Sequence, residues 1–122
     1  MAINFKQPGD IIQWVNGSGA DKVSGQVVVI GQVIGVCLVN IANGATGAVA
    51  LDGVFEVPKV TTAVIAAGDS LLWDASAAKF DAKSATPATG DVTGPPAHAF
   101  AAAGNGATTL LVKLTGVPGT VT

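Results

Sequence analysis

The side chains of this chain that could do chemistry are few and stand apart. His98 is the only histidine, set in Ala97-His98-Ala99-Phe100 with no acid or nucleophile nearby in sequence. A general base needs a partner within hydrogen-bond reach, so His98 is read as structural. Ser18, in Gly17-Ser18-Gly19, lacks the Gly-x-Ser-x-Gly spacing that exposes a nucleophile on a sharp strand-to-helix turn. Asp69, Asp74 and Asp81 do not match the carboxylate spacing of a calcium loop and are read as turn-capping or surface residues. Gly104-Asn105-Gly106 is not followed by Gly-Lys-Ser/Thr, so it is not a phosphate loop. Trp14 and Trp73 could form a stacking platform, yet no basic residues surround them, and core or subunit packing is the preferred reading. Cys37 is alone in an apolar run, which excludes an intrachain disulfide and marks a small core residue. No catalytic constellation, metal site or cofactor motif emerges.

The elements that would carry these residues are short strands. Small and β-branched residues dominate, which suits a thin pleated core. Asn16-Gly17, Asn43-Gly44 and Asn105-Gly106 are hairpin signals with positive φ tolerated at both positions. Gly31-Gln32 fits a two-residue type II′ turn between two valine-rich runs. A weak pattern recurs: Gly9-Asp10, Gly25-Gln26 and Gly68-Asp69 each precede a short apolar run that ends in a bulky residue, Trp14, Ile30 or Trp73. The longest alternation runs from Gly47 to Val57, with a bulge expected at Asp52-Gly53 and a stop at Pro58. Lys59 to Ala67 is expected to hold one helical turn, and Ser84 to Pro96 to be a loop stiffened by Pro95-Pro96. Thr108 to Thr115 reads as a final strand with Leu110, Val112 and Leu114 inward; Leu111 breaks the pattern. The expectation is a mainly β protein, a single-domain barrel or sandwich of about eight short strands. Residues 1–9 form an N-terminal arm, 10–115 the β domain, and 116–122 a tail that is loose or docked on a neighbour.

Charge decides what such a domain is for. Charged residues make up 11% of the 122, against roughly 25% in an ordinary soluble domain. The surface must be largely Ala, Gly, Thr, Ser and Val, and broad apolar patches mark contact with other chains. The six Lys are scattered, Arg is absent and the net charge is −2, which argues against direct nucleic-acid binding. The N-terminus does not read as a signal peptide, and no apolar run approaches the roughly 20 residues of a membrane span. The chain reads as one that assembles with other chains in a cytoplasm or inside a larger particle.

An ordered set of motifs carries a resemblance. Phe5-Lys6-Gln7-Pro8-Gly9-Asp10 is followed by Ser24-Gly25, then Gly31 with Gly35-Val36, then Gly53-Val54-Phe55-Glu56-Val57-Pro58-Lys59. Gly68-Asp69 with Trp73-Asp74 comes next, and Gly106-Ala107-Thr108-Thr109-Leu110-Leu111-Val112-Lys113-Leu114 closes the series. In this order they resemble the capsid cement, or head decoration, family of tailed bacteriophages, over about residues 3 to 115. The resemblance implies a small β protein without catalysis, usually a homotrimer, that binds the major capsid protein on the outer surface of an icosahedral head. It would stabilise the shell and would be made in the host bacterial cytoplasm. Gly94 to Phe100 departs from the family's apolar strand at that place, and the tail after Leu114 is longer than expected.

Within that reading the arm residues Ile3, Asn4, Phe5, Lys6, Gln7 and Pro8 are expected to grip the capsid, with Phe5 as anchor. Trp14 and Val54 are expected at the trimer contact. The rival readings are a head-fibre base or other minor virion component, a carbohydrate-binding β module with an exposed tryptophan, and a small hydrolase in which His98 meets an acid and a nucleophile in the fold.

Overall fold

Strands of four to eight residues, with a two-residue strand at the end, are set by turns of one repeating kind. In the computed structural model, which describes residues 9–122, five turns share the same hydrogen bond. The N–H groups of Gln26, Ala45, Asp69, Asp91 and Ala107 donate to the carbonyl three residues earlier. The residue before each is Gly25, Gly44, Gly68, Gly90 or Gly106, with φ between 83° and 95°. This is a type II turn, whose third position requires positive φ and so selects glycine. A strand follows within one to three residues. The side chains of Gln26, Asp69 and Asp91 reach back to accept from the first N–H of their own turn. The asparagines of Asn43-Gly44 and Asn105-Gly106 keep negative φ, so these pairs do not form the turn with two left-handed residues that their type suggested.

The strands are β1 (Ile11–Val15), β2 (Val27–Ile30), β3 (Val33–Cys37), β4 (Thr46–Ala50), β5 (Gly53–Pro58), β6 (Ser70–Asp74), β7 (Lys79–Ala82), β8 (Val92–Ala99), β9 (Thr109–Leu114) and β10 (Thr120–Val121). They form two antiparallel sheets. The first has the order β1-β4-β3-β2; the second has the order β5-β9-β8-β6-β7, with β10 added beside β8. Neither sheet closes on itself, so of the two expected architectures the open, sandwich-like one is found and the barrel is not.

Four segments differ from expectation. The alternation from Gly47 to Val57 is two strands rather than one bulged strand. The chain leaves the first sheet after Ala50, turns at Gly53 with φ 121°, and enters the second sheet as β5. Alternation continues through the break, which is why the pattern looks continuous. Lys59 to Ala67 is non-helical; it carries an isolated bridge at Lys59 and another at Ile65. The supposed loop up to Pro96 ends in β8. Between Ser70 and Leu71 the β6 partner steps from His98 to Gly94, so Pro95 and Pro96 lie in a bulge. Their missing N–H groups therefore cost no β6 ladder bond. The tail adds β10 to β8, and Thr122 exchanges main-chain bonds with Gly90 and Asp91.

The core fills the space between the sheets. Val27, Ile34 and Val36 from the first sheet meet Trp73, Phe80, Val92, Val112 and Leu114 from the second. Trp73 and Phe80 pack edge to face at 4.9 Å. The first sheet is apolar on its other face too, where Val28, Cys37, Ile41 and Val49 form a second cluster. A Cβ on Gly47 would lie 2.5 Å from Ile41 Cγ1, so that cluster closes only over bare backbone. Burial pushes the Cys37 thiol above its ordinary pKa, with Lys22 opposing.

Among the described residues the buried charged side chains are Asp91, held within its own turn, and Lys59. Lys59, 0% exposed, sends its Nζ to the carbonyls of Val60 (2.8 Å), Gly104 (3.1 Å), Thr61 (3.4 Å) and Ala107 (3.4 Å). No carboxylate takes part. The ammonium clamps the end of β5 to the turn before β9; the Val60, Thr61 and Gly104 carbonyls also accept main-chain N–H groups, and the Ala107 carbonyl accepts from Nζ. Lys59→Met keeps the stem, removes the shared donor and leaves the Ala107 oxygen without it. It should destabilise the protein by about 1–3 kcal/mol, read from urea unfolding.

Candidate interaction surface

The outward face of the second sheet is built by register. Val54 stands opposite Lys113, and Lys113 opposite His98, which stands opposite Ser70. In the next row Glu56 stands opposite Leu111, and the Phe100 N–H donates to the Leu111 carbonyl. Residues directly opposite share a face. Three apolar side chains on this face reach solvent: Val54 at 42%, Leu111 at 37% and Phe100 at 57% exposed. Around them stand one ion pair and one further acid. Lys113 pairs with Asp52 at 2.5 Å, which leaves Glu56 as the acid on the strand itself.

Leu111 was the residue that broke the inward alternation of the last strand, and the structure gives the reason. It belongs to the outer face, beside Val54 and Phe100. An apolar residue at an outward position was the sequence signal for this surface.

The sites weighed in sequence resolve as follows. His98 is half-buried, with Lys113 and Ser70 as its lateral neighbours rather than an acid. The Ser18 hydroxyl donates to Asn16 Oδ1 at 2.7 Å, and Asn16, fully buried, donates to the carbonyls of Ala20 and Ile41. These bonds hold the loop after β1. Asp69, Asp74 and Asp81 are not gathered on one site. Asp69 caps its turn and pairs with Lys83 at 3.1 Å; Asp74 accepts from Ser76 and Ala77; Asp81 accepts from the Ala82 N–H. Among the described residues no three His, Cys, Asp or Glu side chains converge as a metal site.

The two self-contact candidates are placed on different sheets. Val54 is on the outer face of β5. Trp14, on β1, is half-buried against the second cluster of the first sheet. Trp73 is 6% exposed and belongs to the central core, so it offers little face for stacking. The arm residues Ile3 to Pro8 lie outside the described residues.

The arrangement has the character of a contact surface, with apolar exposure on a sheet beside the Lys113–Asp52 pair and Glu56. A family model for phage cement proteins matches residues 6–114. The chain belongs to the phage cement protein family. No curated protein matches it. Its role is that of a structural, capsid-associated component of the virion. The matched range takes in every strand from β1 to β9 and stops at the last residue of β9; β10 lies beyond it.

Three carboxylates, Asp52, Asp69 and Asp74, bear on the stability of this cement protein in acid. Asp69 is held below the ordinary carboxylate pKa, first by the Ala66 N–H and then by Lys83. Asp74 is lowered first by the Ser76 hydroxyl, and Asp52 first by the Lys113 side chain. A carboxylate lowered on folding contributes stability that is complete above its unfolded pKa, about 3.9. That contribution is lost as pH falls through the lower folded value. Urea midpoints should be level from pH 7 to pH 5 and should drop below about pH 4. Asp69→Asn should shallow that drop. An equal drop in the variant would remove Asp69 from the account.

Proposed function

We propose that this protein binds the outer surface of an icosahedral phage head as a homotrimer and stabilises the shell, without catalysis. The observation that carries the reading is the set of exposed apolar side chains Val54, Leu111 and Phe100 in adjacent rows of one sheet face, in a chain with so few charges. An apolar surface left open on a monomer favours burial against another chain. Membership in the cement family makes the capsid the nearest partner. Weak contacts repeated over many copies then add up to a stable shell by multivalency. In this reading Val54 lies at the contact between copies, with Trp14 as the second candidate. Residues Ile3 to Pro8 grip the major capsid protein, as an extended arm adding a strand to an exposed edge.

Quantitative mass spectrometry of purified particles tests the role. The expected result is hundreds of copies, near one per major capsid subunit. A handful would indicate a head-fibre base or another minor component, and none would end the virion reading. Val54→Asp should convert the trimer to monomers in sedimentation, and a variant that stays trimeric excludes Val54 from the contact. Deleting residues 2–7 should abolish capsid binding with the fold intact; undiminished binding would show that the arm is not the grip.

A further inference from the structure

Among the described residues β2 is an edge strand, paired with β3 alone. Its turn has two residues, Gly31 and Gln32, so the flanking pair, Ile30 and Val33, exchanges both main-chain bonds. Alternation gives the same to Val28 with Gly35. The next step agrees, since the Cys37 N–H donates to the Gln26 carbonyl at 2.9 Å. The N–H and C=O groups of Val27 and Val29 therefore point away from β3.

Two adjoining cavities, about 360 and 170 Å³, lie along this edge and share Gln26, Val27, Trp73 and Ala78. Val27, Val28 and Val29 line the smaller cavity in succession. A cavity over one face would meet alternate residues, so this one runs beside the backbone. Its far wall includes Trp14, Trp73, Ala75 and Ala78. Ala78 has φ 54°, the one positive φ among the described non-glycine residues, a conformation that alanine rarely adopts. Lys22 is the single charged residue lining either cavity, and it takes part in no ion pair among the described residues.

Outward donors and acceptors at every second residue select an extended backbone as occupant. The tryptophan-lined wall suits an aliphatic side chain. The lone cation suits a negative one. We propose that this trough takes an extended segment of the capsid shell protein as an added strand beside β2, with an aliphatic side chain against Trp14 and an acidic side chain opposite Lys22. The proposal rests on the capsid-binding reading above and adds a second grip to it, one in which the shell lends the strand.

The test uses the full chain and expanded phage shells that lack it. Val29→Pro removes an outward N–H and puts a ring in the path of the added strand. The β2–β3 bonds do not use that N–H, so the hairpin survives. Unfolding in urea verifies the fold. Folded Val29→Pro should bind shells about tenfold more weakly or worse, and Lys22→Glu should also weaken binding. Hydrogen exchange of the peptide 26–30 should slow when the wild type docks on shells. Wild-type binding by folded Val29→Pro, with exchange unchanged on docking, overturns the proposal. Exchange that is already slow in the free protein and quickens when residues 2–7 are deleted would assign the trough to the chain's own arm. Exchange that slows with protein concentration alone would assign it to a second copy. Either result overturns it. If the wild type does not bind shells at all, the capsid reading falls first and takes this proposal with it. That outcome is distinct from a wild type that binds through another surface.

Discussion

The structure depends on one backbone constraint, the left-handed glycine at the third position of a type II turn. Five turns use it, and each sets the start of the strand that follows. A side chain there would have to adopt a φ that only glycine holds without strain. The strands are too short to hold direction by themselves. Their alignment comes from repeating the same turn, reinforced where Gln26, Asp69 or Asp91 caps it from within. Lys59 solves the case where two such segments meet: its ammonium donates to carbonyls from both sides of the junction.

Much of the fold was legible for this reason. Gly9-Asp10, Gly25-Gln26 and Gly68-Asp69 marked three strand starts from the sequence, and β1, β2 and β6 begin just after them. Gly90-Asp91-Val92 has the same form and starts β8, but the prolines that follow it argued for a loop. The bulge that excuses them lies in β8 itself, where its pairing with β6 skips from Gly94 to His98, and such pairing leaves no local trace in sequence. The crossing at Leu51-Asp52 was hidden because period two carried on through it. Sheet membership is a tertiary fact, and alternation alone cannot report it. β10 has two residues and no periodicity to read.

The surface was legible in kind and less so in place. Scarcity of charge implied neighbours, and the exposed face of β5, β9 and β8 is a region that fits them. Of its members, Val54 stood out by alternation. Leu111 stood out only as an irregularity, and Phe100 lay just past a strand that sequence did not reveal. Trp14 and Trp73, alike in sequence surroundings, part ways in the fold. One is half-buried on the first sheet and the other is packed on Phe80 in the central core. Local context did not separate them, because the difference comes from which sheet each strand joins.

The pairing of β5 with β9 also bears on how the protein is made. β1 to β4 lie within residues 11–50 and can pair with one another as soon as that stretch is synthesised. β5, at residues 53–58, must wait for β9 at 109–114. Contacts so distant along the chain form slowly, because a long loop has to close first. A nascent chain released early would therefore carry a finished first sheet with half of the central core still open to water. Synthesis must run nearly to its end before that apolar surface is covered.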